Sequence, residues 1–164
     1  MFDEQFPVDD RRLIRSWEDL GAGAPTLIAL ASLCSQALAS GRVSDAPLSE
    51  EAKAILYAAR RRGVIEIKGN YRAFEAPARF LTVFVELEVD VSLAFKSTSD
   101  PVLTIHFLEG FRELCSEGFV LHHLYRDFSL TRRGFERAGK IRREEVPLLT
   151  GLVEEHGMAE FLVD

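Results

Sequence analysis

The chain has 164 residues, 20 Lys and Arg against 26 Asp and Glu for a formal charge of −6, and 47% hydrophobic residues. That length and apolar fraction suit one globular domain, 1–164, with a core large enough to need neither disulfides nor a structural metal. The acidic balance excludes a wholly basic nucleic-acid coat but leaves room for a local basic face.

In chain order, the opening Met1-Phe2-Asp3-Glu4-Gln5-Phe6-Pro7 is acidic and has no basic segment leading into an apolar one, so no secretory signal is expected. Leu13, Ile14, Trp17 and Leu20 then form an amphipathic helical stripe over Asp10 to Leu20. A second helix is expected from Pro25 or Thr26 to the stop at Gly41. Its Leu27, Ile28, Leu30, Ala31, Leu33, Cys34, Ala37 and Leu38 surround most of the circumference, which predicts the central buried helix. With Ser32, Ser35 and Gln36 inside it, this stretch falls short of the roughly 20 apolar residues that cross a bilayer, and no membrane association is expected.

Ser49 with Glu50 and Glu51 reads as an N-cap with acids in the first turn, opening a helix that runs to Gly63. The period then changes. Val64 to Lys68, a Gly69-Asn70 turn and Tyr71 to Glu75 predict a β-hairpin. Val85 to Leu93 alternates strictly and favours one half-buried strand, although Phe80, Phe84, Leu87 and Val91 also fit a helix face. Asp100-Pro101 opens a helix to Gly118 with Leu103, Phe107, Phe111 and Leu114 inward. Phe119 to Tyr125 and Asp127 to Leu130 form a second hairpin, Thr131 caps a helix to about Arg143, and an acidic helix spans 146–162. The expected fold class is α+β: helices packed on a small antiparallel sheet.

Two blocks resemble each other: a helix, Gly63, Val64-Ile65 and Tyr71 to Phe74 parallel a helix, Gly118, Phe119-Val120 and Tyr125 to Phe128. The second, with Phe128-Ser129-Leu130-Thr131-Arg132-Arg133-Gly134 following, resembles the end of a winged-helix domain, and segments 49–76 and 101–143 carry that likeness. Sub-units 10–76 and 83–143 follow from it. The resemblance implies DNA binding by a recognition helix and a wing. Glu109, Glu113 and Glu117 against Arg112 spoil the second unit for phosphate. The first is better suited, with Arg60, Arg61, Arg62, Lys68 and Arg72 as phosphate contacts, although arginines ending a helix also complement its dipole.

A further basic block holds Arg126, Arg132, Arg133, Arg137, Lys140, Arg142 and Arg143, and the tail from Glu144 to Asp164 has no Lys or Arg. The simplest expectation is an acidic tail helix docked near the basic helix, or on a second copy, by charge.

Catalytic signatures are absent: no GxxxxGK[ST], GxGxxG or GxSxG occurs. Glu86, Glu88 and Asp90 would share one face of the predicted strand, an array seen in cation and acid/base sites but far more often on a solvated face. His122 and His123, adjacent in a strand, point to opposite faces, with His123 expected to be partly buried; His106 and His156 lack the spacing of a metal pair. Cys34 and Cys115, with no CxxC, read as buried free thiols of a reducing cytoplasm. The sequence therefore predicts a cytoplasmic, non-enzymatic interaction or regulatory module without metal or cofactor, whose partner is a protein or a second copy. Winged-helix DNA binding is the alternative.

Overall fold

The computed structural model describes residues 25–42, 44–70 and 72–162. The helix expected over Asp10 to Leu20 lies outside them. Residues 25–40 form the first described helix, α1, followed by Gly41 at φ 58°, a left-handed position that suits glycine at a helix end. It buries one stripe, Leu27, Leu30 and Cys34, while Ile28 and Leu38 are 63% and 67% exposed. The expectation of a central buried helix is thereby corrected.

That place belongs to α2, Glu50–Ala59. Ser49 caps it by accepting from the Ala52 amide at 3.1 Å, and the Ser49 amide donates to the Glu113 carboxylate at 3.0 Å. From Ala52 onward almost every residue of α2 is buried. Four alanines keep its surface shallow, so that neighbours on several sides can approach closely.

The chain leaves α2 through Gly63 at φ 68° and enters strand β1, Val64–Lys68. Here the structure departs from the expected hairpin. Tyr71 lies outside the described residues, and 72–75 form no strand; the chain loops through a 3₁₀ turn, Ala76–Arg79, before β2, Thr82–Glu88, pairs antiparallel with β1. Pairing sets Ile65 opposite Val85 and Ile67 opposite Val83, all four fully buried. Arg72 to Glu75 offer no such apolar alternation, and register follows the face that is buried.

The segment expected as one strand is itself a hairpin of β2 and β3, Val91–Ala94. Its turn is Val89-Asp90, with Asp90 at φ 61° and Val89 66% exposed. Alternation ran unbroken through the turn because Val89 matches the pattern in type but not in placement.

Asp100, accepting from the Val102 amide, caps α3, Pro101–Ser116, which buries Phe107, Phe111 and Leu114 and leaves Leu103 half-buried. Gly118 at φ 77° ends it and leads to β4, Val120–His122, and β5, Asp127–Leu130. Thr131 then caps α4, Arg132–Ala138, which stops at Gly139, short of the expected Arg143. The acidic tail helix is likewise shorter: α5, Pro147–Glu155, gives way at Gly157 (φ 65°) to a 3₁₀ turn, Ala159–Leu162.

The strands form one antiparallel sheet in the order β3-β2-β1-β5-β4. The fold is α+β, helices against one face of the sheet. Ile65, Ile67, Val83, Val85, Leu93 and Phe128 meet α2 and α3 on the inner face, where Phe111 sits edge-on to Phe128 at 5.1 Å and Phe95 edge-on to Phe107 at 5.0 Å. Each fully buried Phe contributes on the order of 1.5–3 kcal/mol. The two blocks that look alike in sequence meet at the β1–β5 pair and the α2–α3 contact, sharing one sheet and one core. Their likeness holds for helix, left-handed glycine and strand, and ends where β5 has no counterpart in 72–75.

Candidate interaction surface

The five basic residues named from sequence lie between the end of α2 and the β1–β2 loop. Arg60 turns back on its own helix: its guanidinium donates to the Tyr57 carbonyl at 2.9 Å and lies 3.9 Å from that ring's centroid. Arg62 is 3.4 Å from the Glu86 carboxylate, and Lys68 is 3.1 Å from Glu66 and lies over the Phe84 ring. Arg126, from the second basic block, reaches Glu66 at 3.0 Å. Arg61 and Arg72 are exposed. The outer sheet face is thus a mixed-charge lattice of Arg62, Lys68 and Arg126 around Glu66 and Glu86. Such half-exposed pairs contribute about 0–1 kcal/mol each and serve more to set a pattern than to stabilise.

Arg133 is structural, donating to the carbonyls of Arg42 at 2.9 Å and Glu117 at 3.2 Å; Arg132 pairs with Glu136 and Arg142 with Glu145 along the local chain. The tail is seated differently from the charge-driven docking expected. Leu149, Leu152 and Val153 are buried and α5 packs on α2, while Glu155 accepts from the Ser97 hydroxyl and the Thr98 amide, both at 3.0 Å. Those bonds, the Thr98 amide foremost, lower the Glu155 pKa.

The acidic array also dissolves. Glu86 is on β2 and paired with Arg62, Glu88 ends that strand, and Asp90 is in the turn. Among the described residues no three His, Cys, Asp or Glu side chains cluster to hold a metal. The half-buried histidine is His122, not His123. Opposite Phe128 on the inner face, it contacts the Tyr125 carbonyl through Nε2 at 2.7 Å, whereas exposed His123 contacts the Ser129 hydroxyl.

Two features went unread in the sequence. The first is the tip of the β1–β2 loop, where Phe74 is 98% exposed. The Arg79 guanidinium donates to the carbonyls of Ala73 at 3.1 Å and Phe74 at 3.0 Å, and the Ala73 amide donates to the Asn70 carbonyl. The loop is braced from within and displays a phenyl ring to solvent. No local signal marks it in the sequence, since Phe74 fits an apolar position of the expected strand.

The second is a groove of about 280 Å³ between the end of α1, edge strand β4 and the start of α4, walled by Cys34, Ala37, Leu38, Val120 and Leu121. Cys34 is itself buried, as is Cys115 of α3. Hydrogen bonding, with the Cys115 side chain first, outweighs burial and lowers the Cys34 pKa. Burial, with Cys34 second, pushes the Cys115 thiol far up.

No protein-family model matches the chain, and comparisons with curated proteins and with solved structures find no match either. Among the described residues, no helix is long and apolar enough to cross a membrane.

Proposed function

We propose that the chain is a cytoplasmic, non-enzymatic interaction module that engages a protein partner, or a second copy, through the Phe74 loop. The exposure of Phe74 carries the reading. An isolated aromatic in water gains nothing for the fold, whereas a phenyl held ready by Arg79 can bury its full face in a partner's pocket with little ordering cost. Arg72 and Arg79 flank it, and interface rims favour arginine.

The winged-helix resemblance offers the other reading, with Arg60, Arg61, Arg62, Lys68 and Arg72 on DNA phosphates. In that geometry α2 would be the recognition helix. A helix covered by α3, α4, α5 and β2 has no face to lay in a major groove, which supports the protein-partner reading over the DNA one.

A photo-crosslinking phenylalanine analogue at position 74, in cells producing the full chain, tests this. One specific adduct is expected at position 74 and none at the exposed control position Glu136. With that partner purified, Phe74→Ser should weaken association by about 30-fold or more, the cost of losing an aromatic anchor, at unchanged thermal stability. The reading is overturned if position 74 gives no adduct above the control. It is also overturned if duplex DNA binds at low salt, with loss on Arg61→Glu/Arg62→Glu and no change on Phe74→Ser.

A further inference from the structure

We propose that β3, an open edge of the sheet, pairs antiparallel with β3 of a second copy, so that two sheets continue into one. The inference is independent of the Phe74 reading, which concerns the loop between β1 and β2. Among the described strands β3 pairs with β2 alone, whereas β4, the opposite edge, has the end of α1 beside it across the groove. Edge strands are commonly blunted by a proline, a lysine or a covering element, and Val91-Ser92-Leu93-Ala94 contains neither proline nor charge. The ladder fixes which groups are on offer. The Phe95 amide donates to the Val83 carbonyl at 2.8 Å, so Phe95 and Leu93 turn their backbone groups to β2, and by alternation Ser92 and Ala94 turn theirs outward. The Ala94 carbonyl also accepts from the Lys96 amide, which leaves its second lone pair. The register shift of the hairpin lies on the turn side of Ser92, so the offered stretch is regular.

Hydrogen bonding and charge select the same register. Around a two-fold axis residue i meets j and j meets i, and outward-facing residues must meet outward-facing ones. Setting Ser92 against the second copy's Ala94 places Leu93 at the axis. Each Ser92 amide then donates to the Ala94 carbonyl of the other chain, and each Ala94 amide to the Ser92 carbonyl. The same alignment sets Asp90 opposite the second copy's Lys96, once on each side of the axis. Asp90 is exposed in the turn and Lys96 is half-buried, and neither makes an ion pair among the described residues. The neighbouring symmetric registers, Ser92 on Ser92 or Ala94 on Ala94, set Asp90 against Ala94 or Thr98 and lose that charge match. Opposite charges across a pairing fix register and partner more than they add affinity.

Sedimentation of the full-length protein over a concentration series tests this, with a monomer–dimer equilibrium expected. Ser92→Pro removes an amide that the chain's own ladder does not use, so the variant should keep a native circular dichroism spectrum and dissociate about 30-fold more readily, for two lost hydrogen bonds. Charge tests the register without touching the backbone amides. Lys96→Glu and Asp90→Lys should each weaken the dimer about fivefold or more, and the two variant proteins mixed together should associate as the wild type does. Should Ser92→Pro lose its native spectrum, the charge variants decide. The proposal is wrong if the protein is monomeric at every concentration, or if a folded Ser92→Pro or the charge reversals leave the dimer unchanged. It is also wrong if the dimer is lost on Phe74→Ser but not on Ser92→Pro, or if a photo-crosslinker at position 92 in cells joins another protein and no second copy.

Discussion

The Glu155 carboxylate gathers the Ser97 hydroxyl and both the amide and the hydroxyl of Thr98 on one oxygen, tying the end of α5 to the loop after β3. The next residue, His156, closes the same junction, its Nε2 contacting the Lys96 carbonyl at 2.8 Å. Because its folded pKa is depressed, Glu155 adds stability that is present above the ordinary glutamate value of about 4.3 and is lost as pH falls through the lower folded value. Urea midpoints measured from pH 6 down to pH 3 should fall, and Glu155→Gln should flatten that part of the profile. An unchanged profile would mean the carboxylate is not what holds the loop. Nothing in the sequence announced this contact. A glutamate on an acidic tail looks like solvated charge until the fold brings a loop of hydroxyls and amides to it.

Helix starts, by contrast, were legible from their caps, and two helix exits from their glycines. Ser49, Asp100-Pro101, Thr131 and the glycines at 63 and 118 act through bonds and dihedral freedom within a few residues, so the sequence carries them directly. Which helix is central was not legible. α1 is richer in large aliphatics, but α2 is buried because alanine, a weak hydrophobe, lets neighbouring helices come close. The contact with α3 is tight enough that a Cβ on Gly110 would sit 2.7 Å from the Glu51 Cβ and 2.9 Å from the Ala52 nitrogen. Gly110→Ala should therefore destabilise by about 1–3 kcal/mol through overpacking, despite alanine's better helix propensity. Gly151→Ala, in α5 with nothing within 4 Å of the added Cβ, should stabilise by up to about 1 kcal/mol. Chemical denaturation of the two variants checks the contrast, and equal effects would refute the close approach of α2 and α3.

Across the whole molecule, the two segments that resemble each other are not separate units. β1 of the first pairs with β5 of the second, and α2 packs on α3, so cutting between them exposes two sheet edges and the facing sides of α2 and α3. Fragments 1–100 and 101–164 are each expected to lack dispersed amide resonances alone and to regain helical circular dichroism when mixed. A well-dispersed spectrum from either fragment by itself would show that its core is sufficient.

The sequence by itself determined what depends on near neighbours in the chain: the α+β class, the capped helix starts, the glycine exits, and the β4–β5 hairpin. Only the tertiary structure decided what depends on residues far apart. It chose β2 over 72–75 as the partner of β1, because two buried faces must match in register. It left Phe74 in solvent, and it opened a groove between α1, β4 and α4. The basic residues met their partners in the same way, for a charge cannot be judged free or matched until the sheet has placed Glu66 and Glu86 beside Lys68 and Arg62.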